Sequence, residues 1–247
     1  RTGERVSVVD TFGDIVLSAA FSADERRIVA GGADAGVCAY DAATGKRLWI
    51  SSVHSDWVTS VRFSFDGKYV ASADRDMTVK IHDAQDGALF TTYNGHNRQI
   101  GRYRGAAPGY AVRFAPASDT VFSAGGGKWI QIWDPVKAKA ESGDAGDMEE
   151  RFASEGHARY LDHGFAHGVF ALAVNGSELF AASGDGAIKQ YDGVSLKEVR
   201  TYNGFTDWVY ALDYDAASHM VAGGSDRGAG RGWGTHTGRT RVNFTSL

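Results

Sequence analysis

The chain has 247 residues, 43% of them hydrophobic and 12% aromatic, and a formal net charge of −4 at pH 7. This is enough apolar material for one large domain or two small ones, and the charge gives no general pull towards nucleic acid or an anionic membrane. A single cysteine, Cys38, excludes an internal disulfide, and the lack of any CxxC spacing excludes zinc-ribbon and haem-attachment readings, so no cofactor is expected. The longest apolar runs, such as VFALAV at 169–174, are too short for a helical membrane span.

Taken in chain order, residues 2–22 (TGERVSVVDTFGDIVLSAAFS) match residues 44–64 (TGKRLWISSVHSDWVTSVRFS) without a gap, with Asp14 on Asp56 and Phe21 on Phe63. The alternating segment that ends each stretch returns as YAVRF (110–114), FALAV (170–174) and YALDY (210–214). Its apolar positions, such as Thr59/Val61/Phe63 and Tyr110/Val112/Phe114, follow a period of two, which predicts a strand with one buried face. After each such strand comes a small-residue strand, a tight turn and a third strand, in the versions VAGGADAGVCAYD (29–41), VASADRDMTVKIHD (70–83), VFSAGGGKWIQIWD (121–134), FAASGDGAIKQYD (180–192) and VAGGSDRGAGRGWG (221–234). A more polar fourth strand closes each unit: KRLWIS, ALFTTY, EERFAS, KEVRTY and RTRVNF. Self-similarity at about 40 residues with four strands per unit is a repeat architecture.

The glycine-dense GAGRGWG (228–234) aligns with MTVKIHD (77–83), which places Gly230, Gly232 and Gly234 on Val79, Ile81 and Asp83. It reads as a third strand whose inward side chains have been removed. A dinucleotide-binding turn would need a following helix and a distant acid, which THTGRTRVNF does not supply, and GGGKW (125–129) has Trp129 where a P-loop needs Ser or Thr. The fifth unit is therefore expected to be the loosest.

Gly95-His96 ahead of a first strand and Trp133-Asp134 after a third make the chain resemble the WD-repeat β-propeller family. The resemblance covers nearly the whole chain, with degenerate copies. It implies an all-β propeller in which five four-stranded blades are visible, at about 11–51, 53–93, 95–154, 156–203 and 204–245, with residues 2–8 as the outer strand of a preceding blade and a larger ring of six to eight blades. In the family, a His, a Ser or Thr, a turn Asp and a Trp form a buried hydrogen-bond chain within a blade. The second unit matches with His54, Ser72 and Asp76 and has His82 in the Trp position; units one, four and five carry Phe12, Phe165 and Phe205 near the His position, which implies apolar packing there. The string GFTDWVYALDYD (204–215) is similar to WD regions that some bacteria join to c-type cytochrome modules.

Function is sought where loops exceed the minimal repeat. Residues 95–112 contribute Arg98, Arg102, Tyr103 and Arg104, and residues 156–172 contribute Arg159, Tyr160, His163 and His167; both are expected on one face, beside Asp14, Asp56, Trp57, Asp207 and Trp208. An exposed Trp beside a charge is the composition of a binding hot spot, although the same Trp could cover a blade junction while its Asp caps a turn. His157, His163 and His167 with Asp162 offer zinc-type ligands, but their spacing defines a single face only in a helix, so no metal is assigned. A third insertion, 135–152, predicts a short helix or flap at the rim. The resemblance implies a non-catalytic scaffold binding a protein partner or another domain of its own polypeptide. The alternative is a propeller enzyme or metal- or ligand-binding propeller that uses the His-rich loop and channel-facing carboxylates.

Overall fold

A computed structural model describes residues 12–96, 109–115, 118–142, 159–161 and 164–245. They form five four-stranded antiparallel sheets, each with its strands in sequence order from inner to outer edge. The first comprises β1 (Val16–Phe21), β2 (Arg27–Gly32), β3 (Val37–Asp41) and β4 (Arg47–Ser51); the second, β5 (Val58–Phe63), β6 (Tyr69–Asp74), β7 (Val79–Asp83) and β8 (Leu89–Tyr93). The third comprises β9 (Gly109–Phe114), β10 (Val121–Gly125), β11 (Ile130–Trp133) and, after helix α1 (Pro135–Ser142), β12 (Arg159–Leu161). The fourth holds β13 (Val169–Asn175), β14 (Glu178–Ser183), β15 (Ile188–Asp192) and β16 (Glu198–Tyr202), and the fifth β17 (Val209–Asp215), β18 (Met220–Ser225), β19 (Ala229–Gly234) and β20 (Thr240–Thr245).

The sheets are held by four apolar cores, each shared by consecutive blades. Val29, Val37 and Trp49 of the first blade meet Val58, Val61 and Phe63 of the second, and Ala71, Val79 and Ile81 of the second meet Val112, Phe114 and Trp133 of the third. The small second-strand residues read from the sequence are what allow this. A Cβ on Gly31 would stand 2.5 Å from Val58, and one on Gly223 would stand 2.6 Å from Ile188, so the neighbouring blade occupies the space a side chain would need. Polar ties cross the same junctions: Trp49 Nε1 donates to Ala84 O at 3.1 Å, and Arg27 donates to Ala84 O and Gly67 O, each at 2.9 Å.

Two local features differ from the sequence reading. Each inner strand shifts register near its start, between Val16 and Ser18, Val58 and Ser60, opposite Ala124 and Gly125, and between Val169 and Ala171 and Val209 and Ala211. This bulge takes Leu17, Thr59, Tyr110, Phe170 and Tyr210 out of the buried alternation, because the extra residue is left out of the ladder and re-aimed. The outer strand of the third blade is also Arg159–Leu161, pairing Gln131 with Tyr160 and Ile132 with Arg159, rather than EERFAS. The third unit therefore runs past 154, and Arg159 and Tyr160 belong to a strand and not to a loop. The expected EERFAS strand and residues 2–8 lie outside the described residues. The rim insertion begins as the helix α1, whose Ala138 is buried against the second blade while Lys139 Nζ lies 4.0 Å from the centre of the Phe90 ring.

The glycine-dense segment is strand β19. A Cβ on Gly230 would fall 2.0 Å from the Phe244 ring, so that ring stands over the missing side chain, yet Phe244 is 63% exposed. Two outcomes follow for denaturation and exchange. Gly31→Val should lower unfolding free energy in urea by about 1–3 kcal/mol, because fully buried Val58 has no room to yield. In hydrogen exchange, amides of 229–234 should exchange faster than those of 79–83; equal protection would show the fifth blade as firmly held as the second.

Candidate functional site

The described loops that lead into the inner strands gather on one face of the blades, and in the first, second, fourth and fifth blades the loop is stitched to the turn between second and third strands of its own blade. Backbone N–H groups of Ala33, Arg75, Gly184 and Asp226 donate to the carbonyls of Ile15, Trp57, Gly168 and Trp208 at 2.8, 3.1, 3.0 and 2.9 Å. The loop carboxylates reinforce this. Asp14 accepts from the N–H of Ile15 at 2.7 Å, Asp56 from that of Trp57 at 2.7 Å, and Asp207 from that of Arg227 at 2.6 Å. These acids thus hold turns, while the aromatic residues beside them stay open to solvent.

Trp57 is 44% and Trp208 is 50% exposed. The Arg75 guanidinium lies 4.6 Å from the Trp57 ring centre, and its Nη1 is 3.9 Å from Asp56. At the fourth and fifth blades the bulge residues and Trp208 converge. Phe170 stands 5.0 Å from Tyr110, 4.8 Å from Tyr210 and 5.6 Å from Trp208, ring centre to ring centre. Three consecutive blades therefore present one aromatic cluster. Sequence reasoning missed it because Tyr110, Phe170 and Tyr210 fit the strand alternation; the one-residue offset that frees them leaves no mark in the pattern. Trp208 both bridges two blades and stays half exposed, so the two readings offered for it coexist.

His167 occupies the place corresponding to Asp207 and is exposed. Arg98, Arg102, Tyr103, Arg104 and His163 lie outside the described residues, as do His157 and Asp162 of the metal reading. Of Arg159 and Tyr160 the strand pairing alone is described.

Within the second blade a polar chain runs through the core. His54 Nε2 and His82 Nε2 flank Ser72 Oγ at 2.6 and 2.8 Å, and His82 Nδ1 faces Gly87 O at 3.4 Å. The carboxylate against the His54 ring is Asp74, with Oδ2 2.8 Å from Nδ1; the expected Asp76 sits one step behind, accepting from the N–H of Thr78 at 2.8 Å and from Lys80 Nζ at 3.4 Å. Proton counting fixes the states. Gly87 O can only accept, so His82 carries its proton on Nδ1, Ser72 donates to His82 Nε2, and His54 donates from Nε2 to Ser72. His54 Nδ1 and Asp74 Oδ2 then share one proton. Burial and the neighbouring Asp76 push the Asp74 carboxyl up, and burial pushes the imidazoles down, His82 to about 4. His54, Asp74 and Asp76 form the one cluster of metal-type ligands among the described residues, but their polar atoms are already turned on one another inside the blade.

The third blade repeats the motif with a tryptophan. His96 Nε2 lies 2.9 Å from Ser123 Oγ, to which Trp133 Nε1 donates at 3.1 Å. Residues 45–83, the outer strand of the first blade and the first three strands of the second, match the family model of the WD domain, G-beta repeat. The five sheets have the fold of a WD40-type β-propeller, and one repeat is matched directly. Solved structures described as the structure of U3-55K and as the crystal structure of RRP9 WD40 repeats superpose on it, each with a TM-score of 0.76 and 18% identity over 97% of this chain. The chain spans about two thirds of each, 67% and 66%. No curated protein matches its sequence. WD40 propellers in general serve as protein-interaction scaffolds, and no helix among the described residues of this propeller is long and apolar enough to cross a membrane.

The buried imidazoles set a pH response. His82 and His96 are both held near 4 by burial, below the ordinary histidine value, so their contribution to stability is complete above about 6.5 and falls as the pH drops towards 4. Each should lose about 1 kcal/mol by about pH 5.5. The His54 and Asp74 pair, holding one proton, adds little over that range. Melting temperature should therefore fall between pH 7 and pH 5, and His82→Trp, which restores the family residue, should make the fall shallower.

Proposed function

We propose that this propeller is a non-catalytic interaction module that binds a protein partner, or another domain of its own polypeptide, through the face that carries the loops into the inner strands. The observation that carries the reading is the exposed aromatic set on that face: Trp57 under Arg75, and Trp208 with Phe170 and Tyr210. Large rigid rings already ordered by the scaffold lose little conformational freedom on binding, and Trp, Tyr and Arg are the residues that dominate interface energies. The insertion residues Arg98, Arg102, Tyr103 and Arg104 and the histidines His163 and His167 belong to the same proposed face, where positive charge would favour an acidic partner.

Exposed apolar flanks accompany this face. Val16, Phe21, Leu48 and Ile50 on the first blade and Tyr210, Val242 and Phe244 on the fifth are all more than 40% exposed, and no apolar core among the described residues joins those two blades. These flanks support a ring of more than five blades in the complete protein.

The partner is to be captured by cross-linking from the source cells, identified, and titrated against the purified chain. Trp57→Ala with Trp208→Ala should weaken it about 30-fold or more, the loss expected for two hot-spot side chains, without shifting the melting temperature much, since both rings are half exposed. Arg102→Glu with Arg104→Glu should weaken an acidic partner and reduce the salt dependence of its association. Unchanged affinity in both variants would place recognition elsewhere on the ring.

A further inference from the structure

The inner strands bring a second set of side chains together at their other ends. Ala20, Arg62, Arg113, Ala173 and Asp213 hold one register in the five blades, paired opposite Val29, Ala71, Phe122, Phe180 and Ala222. Each directly precedes the last apolar residue of its strand, so it lies out of phase with the buried Phe63, Phe114 and Tyr214. Four of them, from the second to the fifth blade, line one cavity of about 310 Å³. Four consecutive blades can meet only around the ring axis. The cavity also touches Asn175, at the end of its inner strand, and Phe65 and Gly176, which follow the inner strands. It therefore opens on the face opposite Trp57 and Trp208.

The charge in this cavity is unbalanced. Arg62 Nη1 donates to Val61 O at 2.7 Å and Arg113 Nη1 to Val112 O at 2.8 Å, each a carbonyl of its own strand. Weaker contacts link Arg62 Nη1 to Ala19 O at 3.4 Å and Ser18 Oγ at 3.5 Å. Neither guanidinium forms an ion pair with any carboxylate among the described residues. Burial, and then the Arg62 charge beside it, push the Arg113 guanidinium well below its ordinary value, with Asp213 opposing. Two cations drawn out of water and facing a single, solvent-exposed carboxylate are an arrangement that an incoming anion would stabilise, since it supplies the missing charge and takes the free N–H donors.

We propose that the axial cavity is a binding site for a small oxyanion, a carboxylate or phosphate group carried on an aromatic or apolar body, held by Arg62 and Arg113 from adjacent blades. The volume is at the low end for small-molecule sites, which suits one ring and one anionic group. Phe65, 69% exposed, and Phe114 offer the apolar contact, and Asn175 adds a polar residue to the lining. Asp213 repels the anion, and so sets its affinity and favours a ligand that also carries a donor on that side. The register itself makes the site: a one-residue change of alignment would turn both arginines into the blade cores.

The test uses the whole chain, titrated calorimetrically with phenyl phosphate and with inorganic phosphate at constant ionic strength and pH 7. Saturable one-to-one binding is expected, tighter for phenyl phosphate. Arg62→Gln and Arg113→Gln should each weaken it about ten-fold or more, as loss of one charge-assisted contact requires. Asp213→Asn, at an exposed position, should tighten binding several-fold, and this opposite sign holds the proposal to account even if an arginine variant fails to fold. No saturable binding to the wild-type chain, or equal affinities for wild type and Asp213→Asn, would overturn it. The result is separable from the loop-face reading, because Trp57→Ala with Trp208→Ala should leave phenyl phosphate affinity unchanged.

Discussion

Everything in this propeller depends on how closely one blade can approach the next. A four-stranded sheet has two faces to cover and too little surface to cover either alone, so each blade is stable only between neighbours. The distance is set by the second strands. Where Gly31 leaves no side chain, Val58 of the following blade moves in to fill the space, and Gly223 does the same for Ile188 across the junction between the fourth and fifth blades. With the blades this close, the inner strands of successive sheets stand side by side, and residues far apart in sequence come into register round the axis. Both candidate sites are consequences of that register.

The inward polar chains answer a different requirement. A blade packed on both faces has no water inside it, so a hydroxyl buried in its second strand must find partners within the sheet. Ser123 does so with His96 and Trp133, and Ser72 with two imidazoles. Replacing tryptophan by His82 keeps the bond but exchanges a donor that never titrates for one that does. The Trp49 ring, stacked 6.2 Å from His82, supplies from the first blade the aromatic surface that the second lacks. Where the histidine is absent, Phe205 packs edge-on against Trp233 at 5.7 Å and the chain of bonds is dropped as a whole. Such a replacement is tolerated because both halves of the bond leave together.

The order of strands was legible in the sequence because the repeat states it five times, and a single strong alternation such as Val61 and Phe63 fixes the phase of all the others. Three features were not legible. The bulge at Thr59, Tyr110, Phe170 and Tyr210 adds one residue to a strand without changing its composition, so alternation alone assigned those side chains to the core. The outer strand Arg159–Leu161 is three residues long and lies beyond an insertion, where the apolar residues of EERFAS gave an equally good pattern. In ADRD (73–76) two acids compete for one role, and the turn geometry selects Asp74 by placing it at the strand end beside His54. Of the loop site, the exposed tryptophans were readable as charge-flanked aromatics; their convergence with Phe170 and Tyr210 was not, because it is a contact between blades.

The two ends of the inner strands also differ in a way that follows from chain direction. Loops entering an inner strand come from the outer edge of the previous blade, so they are free to lengthen and carry insertions, and they tolerate exposed rings. The turns leaving it are tight hairpins: Ser64 Oγ donates to Asp66 at 2.7 Å while the Lys68 N–H donates to the same carboxylate at 3.0 Å, and Ser22 and Asp24 repeat the arrangement in the first blade. With little room for insertions there, chemical variety at that end rests on the strand residues themselves and on single turn residues such as Phe65. One position per blade faces the axis, filled in turn by Ala20, Arg62, Arg113, Ala173 and Asp213. A repeat protein can thus vary recognition on one face through loop length and on the other through single residues, and the second kind of variation is invisible until the blades are placed side by side.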